Sequence, residues 1–249
     1  MLQNTVIMQP KVHLYCTLRN EARILPYFFR HYNQFVDRFF MYDDASDDGS
    51  QEIIHSEPKA VLLHPPMPGL DDAMFANLHS TEYLWLSRGE ADWVICVDAD
   101  EFIYHRDILN YLKESDALGY KILLADGYQM VSRNFPTTDG QIYDEVRCGI
   151  FDDRYSKAVV FKPEIDLRYA PGRHAVTSET EVKHSDLKLL HFRYLSEAHM
   201  QAKHAANFAR LSEGNRKFGY GGHNNPDYKG EYDHSWYLET LKEAKPINL

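Results

Sequence analysis

The 249-residue sequence is short of the features that would place it in several large classes. It has three cysteines, Cys16, Cys96 and Cys148, far apart and in no CxxC pair, so neither a disulfide framework nor a cysteine-based zinc site is encoded. They read as reduced thiols and point to a cytosolic chain. No stretch approaches about 18 uninterrupted apolar residues, so no transmembrane helix is expected. The first ten residues, MLQNTVIMQP, lack the basic start and apolar core of a secretory signal. Positive charge is also scarce: 27 Lys and Arg against 37 Asp and Glu leave a net charge of -10, which argues against nucleic acid as a partner. HExxH, GxSxG, P-loop and GxGxxG motifs are absent, and with them the usual support for a protease, lipase, NTPase or dehydrogenase. Internal repeats and low-complexity blocks are missing as well.

An ordinary globular composition remains, 44% apolar and 26% charged, in a chain long enough for one large domain. Residues 11–18 form a strand-like run, and apolar residues from Leu25 to Val36 then recur at helical spacing. Strands are expected at 37–42, 59–64, 93–97, 120–125, 157–162 and 188–192. Helices are expected at 51–56, from a cap at Asp71 or Asp72 to Gly89, at 107–114 and at 196–212. Residues 126–149 carry no clear pattern, and the chain beyond Gly214 reads as irregular structure or a lid. Alternating strands and helices over the first 125 residues predict an α/β fold with a mostly parallel sheet. Ligands of such sheets sit beyond the C-terminal strand ends.

Three polar clusters fall at those ends: Thr17–Glu21, Asp43–Ser50 and Asp98–Glu101. Asp98 and Asp100 follow the continuously apolar Trp93–Val97. In extended backbone both side chains point to one side, where they can share a divalent cation or divide metal and ribose between them. Left without a cation, such a pair is expected to repel, with one carboxyl protonated. A solvated turn is the plain alternative. Asp43 or Asp44 can accept hydrogen bonds from a base or ribose, or can simply form a turn. His191, between Leu190 and Phe192, is either a core residue or a further metal ligand.

The order of Leu18-Arg19-Asn20-Glu21, the aromatic helix, Tyr42-Asp43-Asp44-Ala45-Ser46-Asp47-Asp48-Gly49-Ser50 and Trp93-Val94-Ile95-Cys96-Val97-Asp98-Ala99-Asp100-Glu101-Phe102 resembles the GT-A glycosyltransferases. The likeness is to the family 2-like branch and the related family 92 proteins, and it is specific over about residues 11–105. It implies a single GT-A domain over 1–249, with a nucleotide-sugar-binding half at 11–125, an acceptor half at 126–212 and a tail or lid at 213–249. It also implies a nucleotide-diphosphate sugar donor, UDP-linked in the first instance, and a divalent metal, Mn²⁺ or Mg²⁺. A glycan or lipid-linked glycan would be the acceptor.

By position, Thr17, Arg19, Asn20, Glu21 and Asp43 or Asp44 would meet the nucleotide, and Lys157 the donor phosphates. Asp98, Asp100 and His191 would hold the metal. If transfer inverts the anomeric centre, Asp152, Asp153 and Glu101 are the candidate bases. The helix before the DxD strand carries neither the Arg nor the Gln of many relatives, leaving Asn77 and His79 as substitutes. The expected setting is bacterial surface-glycan synthesis in the cytoplasm, with peripheral contact at the inner membrane face. A catalytically silent nucleotide-sugar binder and a nucleotidyltransferase of related fold are the alternatives.

Overall fold

The computed structural model describes residues 9–225 and 234–249. Its elements in chain order begin with β1 (Val12–Leu18), α1 (Leu25–Tyr32), β2 (Arg38–Asp43), α2 (Ser50–Ser56), β3 (Ala60–Leu63), α3 (Asp72–Leu86) and β4 (Trp93–Asp98). Then come β5 (Glu101–Tyr104), α4 (Ile108–Ala117), β6 (Ile122–Ser132), α5 (Ile142–Glu145), β7 (Cys148–Phe151) and β8 (Lys157–Phe161). The chain closes with β9 (Arg168–Tyr169), β10 (Val176–Thr177), β11 (Val182–Leu195), α6 (Glu197–Ala209), α7 (Glu213–Phe218), α8 (His234–Glu243) and β12 (Lys245–Pro246).

Ten strands form one mixed sheet whose main path runs β12-β7-β6-β8-β4-β1-β2-β3, with β11 and β5 attached beside β6. The half made by β4, β1, β2 and β3 is parallel, as the strand–helix alternation predicts. β8 inserts antiparallel between β4 and β6. Side-chain alternation sends Trp93, Ile95 and Val97 into the core under α1 and α4, and Val94 and Cys96 into the core under α3. All five are fully buried, and Val94, Ile95 and Val97 each contribute roughly 1.5–3 kcal/mol by leaving water. Among the described residues no helix is long and apolar enough to cross a membrane.

Three parts differ from the sequence reading. β5 follows the DxD motif directly; four residues are too few to show a period, and its partner β11 lies about ninety residues further on. β6 and β11 are much longer than the segments expected for them, because their pairing with each other extends both. Beyond Ser212 the chain forms α7, capped by the Ser212 side chain on the Asn215 amide (3.0 Å) and stopped at Gly219 with φ +74°. Residues 226–233 of the expected lid lie outside the described residues.

Two close approaches shape the region around the strand ends. The Leu70 amide donates to the Arg210 carbonyl (2.9 Å) and the Ser212 amide to the Leu70 carbonyl (3.0 Å), which clasps the end of α6 to the start of α3. Gly127 lets β6 pass the turn at 153–155; a Cβ there would lie 2.3 Å from the Tyr155 carbonyl carbon.

Candidate active site

β2, β1 and β4 end in register: Thr17 pairs with Tyr42 on one side and Asp98 on the other. The three polar clusters therefore share one sheet edge, the position where open α/β sheets hold ligands. The first two interlock. Asn20, at φ +53°, donates through Nδ2 to Asp47 Oδ1 (2.8 Å) and accepts from the Asp47 amide (2.9 Å). The Glu21 amide donates to Ser50 Oγ (2.9 Å) and the Ala22 amide to Asp48 (2.9 Å).

This interlock engages the pair expected to meet base or ribose. Asp43 accepts from the Ser46 amide (3.0 Å) and Gln51 Nε2 (2.6 Å). Asp44 accepts from the Gly69 amide (3.0 Å) and Arg210 Nη1 (2.5 Å), and its carbonyl accepts from Arg19 (2.8 Å). Both carboxylates are buried, and neither lines the cavity beside Asp98–Glu101 or the groove beside α6; they hold loops in place.

The third cluster lines a cavity of 410 Å³ together with Thr17, Arg19, Glu21, Lys157, Arg173, His191 and Lys203. β4 stops at Asp98, and Ala99 and Asp100 turn the chain into β5. The extended geometry expected for the two carboxylates is therefore not found, and each meets its own cation. Asp98 accepts from Thr17 Oγ1 (3.0 Å) and pairs with Arg173 Nη2 (2.5 Å). Asp100 pairs with Lys203 Nζ at 2.8 Å, and the same ammonium reaches Glu21 Oε1 at 2.6 Å. Glu101 takes Lys157 Nζ at 2.5 Å and Arg173 at 3.3 Å, and accepts the Asp98 amide at 3.0 Å.

The expected repulsion between bare carboxylates is thus absent. Four carboxylates and three side-chain cations leave one negative charge, the His191 ring aside. Burial works to raise Asp100, yet Lys203 and His191 hold it well below the usual carboxylate range. Glu101 is likewise lowered, with Lys157 and Arg173 outweighing burial. Glu21 goes the other way: burial pushes it up to about 7 in spite of Lys203.

The donor types at this edge suit a hard divalent ion. His191 Nε2 faces Asp100 Oδ2 across 3.7 Å, and His191 Nδ1 is buried without a partner. A ready-made ion site is not formed: among the described residues no three His, Cys, Asp or Glu side chains converge as one. The Lys203 ammonium lies against Asp100, so this carboxylate already meets a cation of the chain's own, which an ion bound there would have to displace.

Other sequence candidates fall outside. Asp152 caps the turn at 153–155 and pairs with Arg154 (2.9 Å), and Asp153 is exposed. Neither lines the cavity, and nor do Asn77 and His79. Arg173 is not singled out by the sequence, and Lys203 only as one of the basic residues Arg193, Lys203, Arg210, Arg216 and Lys217 that could hold an acidic acceptor or a membrane surface. Lys203 reads in sequence as one charge on a solvated helix, and Arg173 sits in a short loop where the left-handed backbone at Gly172 and Arg173 (φ +76° and +60°) leaves no pattern beyond Pro-Gly.

No protein-family profile matches the chain, and no curated protein does. Among solved structures, S. aureus TarS 1-349 is similar at 11% identity and a TM-score of 0.44, over 87% of this chain and 69% of that chain. TarS 1-349 in complex with UDP is similar at 11% identity and a TM-score of 0.44, over 89% and 71%. Mannosyl-3-phosphoglycerate synthase from Rubrobacter xylanophilus is similar at 12% identity and a TM-score of 0.36, over 52% and 43%.

Proposed function

We propose that the chain is a GT-A-type glycosyltransferase that moves a sugar from a nucleoside diphosphate, UDP foremost, to an acceptor hydroxyl. Its setting would be bacterial surface-glycan synthesis at the cytoplasmic side of the membrane. The observation that carries the reading is the buried cluster of Glu21, Asp98, Asp100 and Glu101 with Lys157, Arg173 and Lys203, on one wall of a cavity at the ends of β1 and β4. The sequence resemblance, which implies a nucleotide-sugar donor near Thr17–Glu21 and Asp98–Asp100, supports this reading.

A diphosphate leaves well only when its growing negative charge is met. Asp98, Asp100 and His191 would hold Mn²⁺ or Mg²⁺, which when bound supplies that neutralisation as a Lewis acid. Thr17 orients Asp98 through its hydroxyl. Arg173 and Lys157 hold Asp98 and Glu101 at fixed positions and add positive potential facing the cavity. Glu21 is the proton acceptor in this reading. It is the carboxylate that lines both the cavity and the neighbouring groove beside α6, and burial brings it near the pH at which a base both accepts a proton and stays ionised. An acceptor deprotonated there attacks opposite the departing diphosphate, which makes the reaction inverting.

The test is a titration of UDP with and without Mn²⁺ on the wild type and on Asp100→Asn, followed by a screen for hydrolysis of nucleotide sugars. Metal-dependent UDP binding that the substitution weakens, with hydrolysis of one donor, is the expected result. Binding that ignores both metal and substitution would refute the assignment, and binding without any turnover would identify a silent binder.

A further inference from the structure

We propose that the groove beside α6 is the acceptor site and that it takes a saccharide bearing negative charge, as phosphate or carboxylate. The inference builds on the transferase reading. The groove has a volume of 980 Å³ and runs between the loop after β1, the segment after β6 and the first turns of α6. Arg19, Glu21, Lys203, Asn207 and Arg210 form a wall common to groove and donor cavity, so an acceptor lying in the groove meets the donor side at Glu21.

Its charge sets the groove apart in a chain with a net charge of -10. Lys203 and Arg210 are engaged by Glu21, Asp100 and Asp44. Three further guanidiniums face the groove with no carboxylate partner among the described residues. Arg19 donates to a backbone carbonyl (2.8 Å), Arg23 lies over the Phe135 ring at 3.7 Å, and Arg133 is exposed. The acids on the same walls do not answer them. Asp48 accepts from the Ala22 and Ser50 amides, and Glu197 accepts from Gln201 Nε2 (3.2 Å) at the exposed start of α6. The first turn of α6, with the positive end of its dipole, opens onto the same space.

Guanidiniums free of carboxylates bind phosphate and carboxylate through charge-assisted, two-pronged hydrogen bonds. The rest of the lining suits a sugar ring. Phe135 with Arg23 stacked on it makes a flat wall, and Ala198, Ala202 and Ala206 keep the opposite helix face low. His199 meets the Phe135 ring edge-on at 4.9 Å. Burial, then Lys203 and Arg23, hold its ring at about 4, so at neutral pH it can accept a hydrogen bond from a hydroxyl.

The experiment is calorimetry on the full chain with three small saccharides, glucose 6-phosphate, methyl β-glucuronide and neutral methyl β-glucoside, and with inorganic phosphate. Each is titrated into the wild type and into the Arg23→Gln/Arg133→Gln double variant, beside a UDP titration. A charged saccharide should bind about tenfold more tightly than the neutral one and lose about tenfold in the double variant, while UDP affinity is unchanged. Which of the two charged sugars binds better separates phosphate from carboxylate. Equal binding of charged and neutral sugars, no binding at all, or affinity untouched in the double variant overturns the proposal. So does inorganic phosphate binding as tightly as the charged sugars, which would mark a bare anion site. If charged sugars bind and UDP does not, the transferase reading fails and the groove stands; the reverse pattern removes the groove alone.

Discussion

Lys203→Met removes the ammonium that joins Glu21 to Asp100 and leaves a side chain of similar length. Nζ lies 2.6 Å from Glu21 and 2.8 Å from Asp100, with the lysine side chain 23% exposed and each carboxylate 8% exposed. Taking one partner from a buried ion pair costs about 3–5 kcal/mol, since the partners stay behind uncompensated. Glu21, already raised to about 7, takes up a proton once the ammonium is gone, which keeps the loss near the lower figure. About 3 kcal/mol in a chain of this size lowers Tm by about 6–12 °C. Thermal denaturation in a chelator should show that drop. Millimolar Mn²⁺ should then restore part of the loss in the variant, since an ion bound at about 100 times its Kd stabilises by about 2.7 kcal/mol, and should move the wild type far less. A variant within about 2 °C of wild type would show that the ammonium does not hold the two acids together. Equal protection of both proteins by Mn²⁺ would show that ion and ammonium do not compete for Asp100.

Glu21→Gln should cut turnover by about 10²–10⁴-fold with UDP affinity kept, as steady-state kinetics beside calorimetry would show; undiminished turnover would exclude it as the base. Arg173→Gln leaves Glu101 with Lys157 alone and Asp98 with the Thr17 hydroxyl alone, so a loss of about 3 kcal/mol is expected in urea denaturation, and a change below about 0.5 kcal/mol would contradict the pairing. His31 is held at about 4 by burial against an ordinary 6.5, so between those values the unfolded chain binds the extra proton. Stability from this group is full above pH 6.5 and falls as pH drops toward 4, by up to about 3 kcal/mol, and a His31→Gln profile parallel to wild type would sink the assignment. Gly127→Ala pushes a methyl into the Tyr155 carbonyl and should cost about 1–3 kcal/mol in the same assay; a neutral result would mean that the turn carrying Tyr155 gives way freely.

Much of the parallel half was legible because its signals are local. Trp93–Val97 announces a strand covered on both faces, and Asp98–Glu101 announces its polar end, within ten residues of sequence. Asp71, Asp107 and Ser196 cap helices as their residue type suggests. What could not be read depends on distant partners. Lys203 becomes a site residue because the Leu70–Leu211 clasp draws the end of α6 toward the strand ends. Asp44 has the residue type of a ribose acceptor, but Arg210, 166 positions away, claims its carboxylate. The turn at Ala99–Asp100 depends on β5 pairing with β11, so spacing alone suggests one shared ligand where the fold gives each carboxylate its own cation.

The order of these charges along the chain has a consequence for synthesis. All four carboxylates of the cluster are encoded by residue 101, whereas Lys157, Arg173 and Lys203 come afterwards. Translation at roughly 5–20 residues per second separates Glu101 from Lys203 by about 5–20 s. A nascent chain that has completed β1 to β4 therefore presents an acidic edge with none of its internal cations. That edge is screened only by ions from solution until Lys157 and Arg173 emerge, and Glu21 and Asp100 wait longer still, for Lys203 on α6.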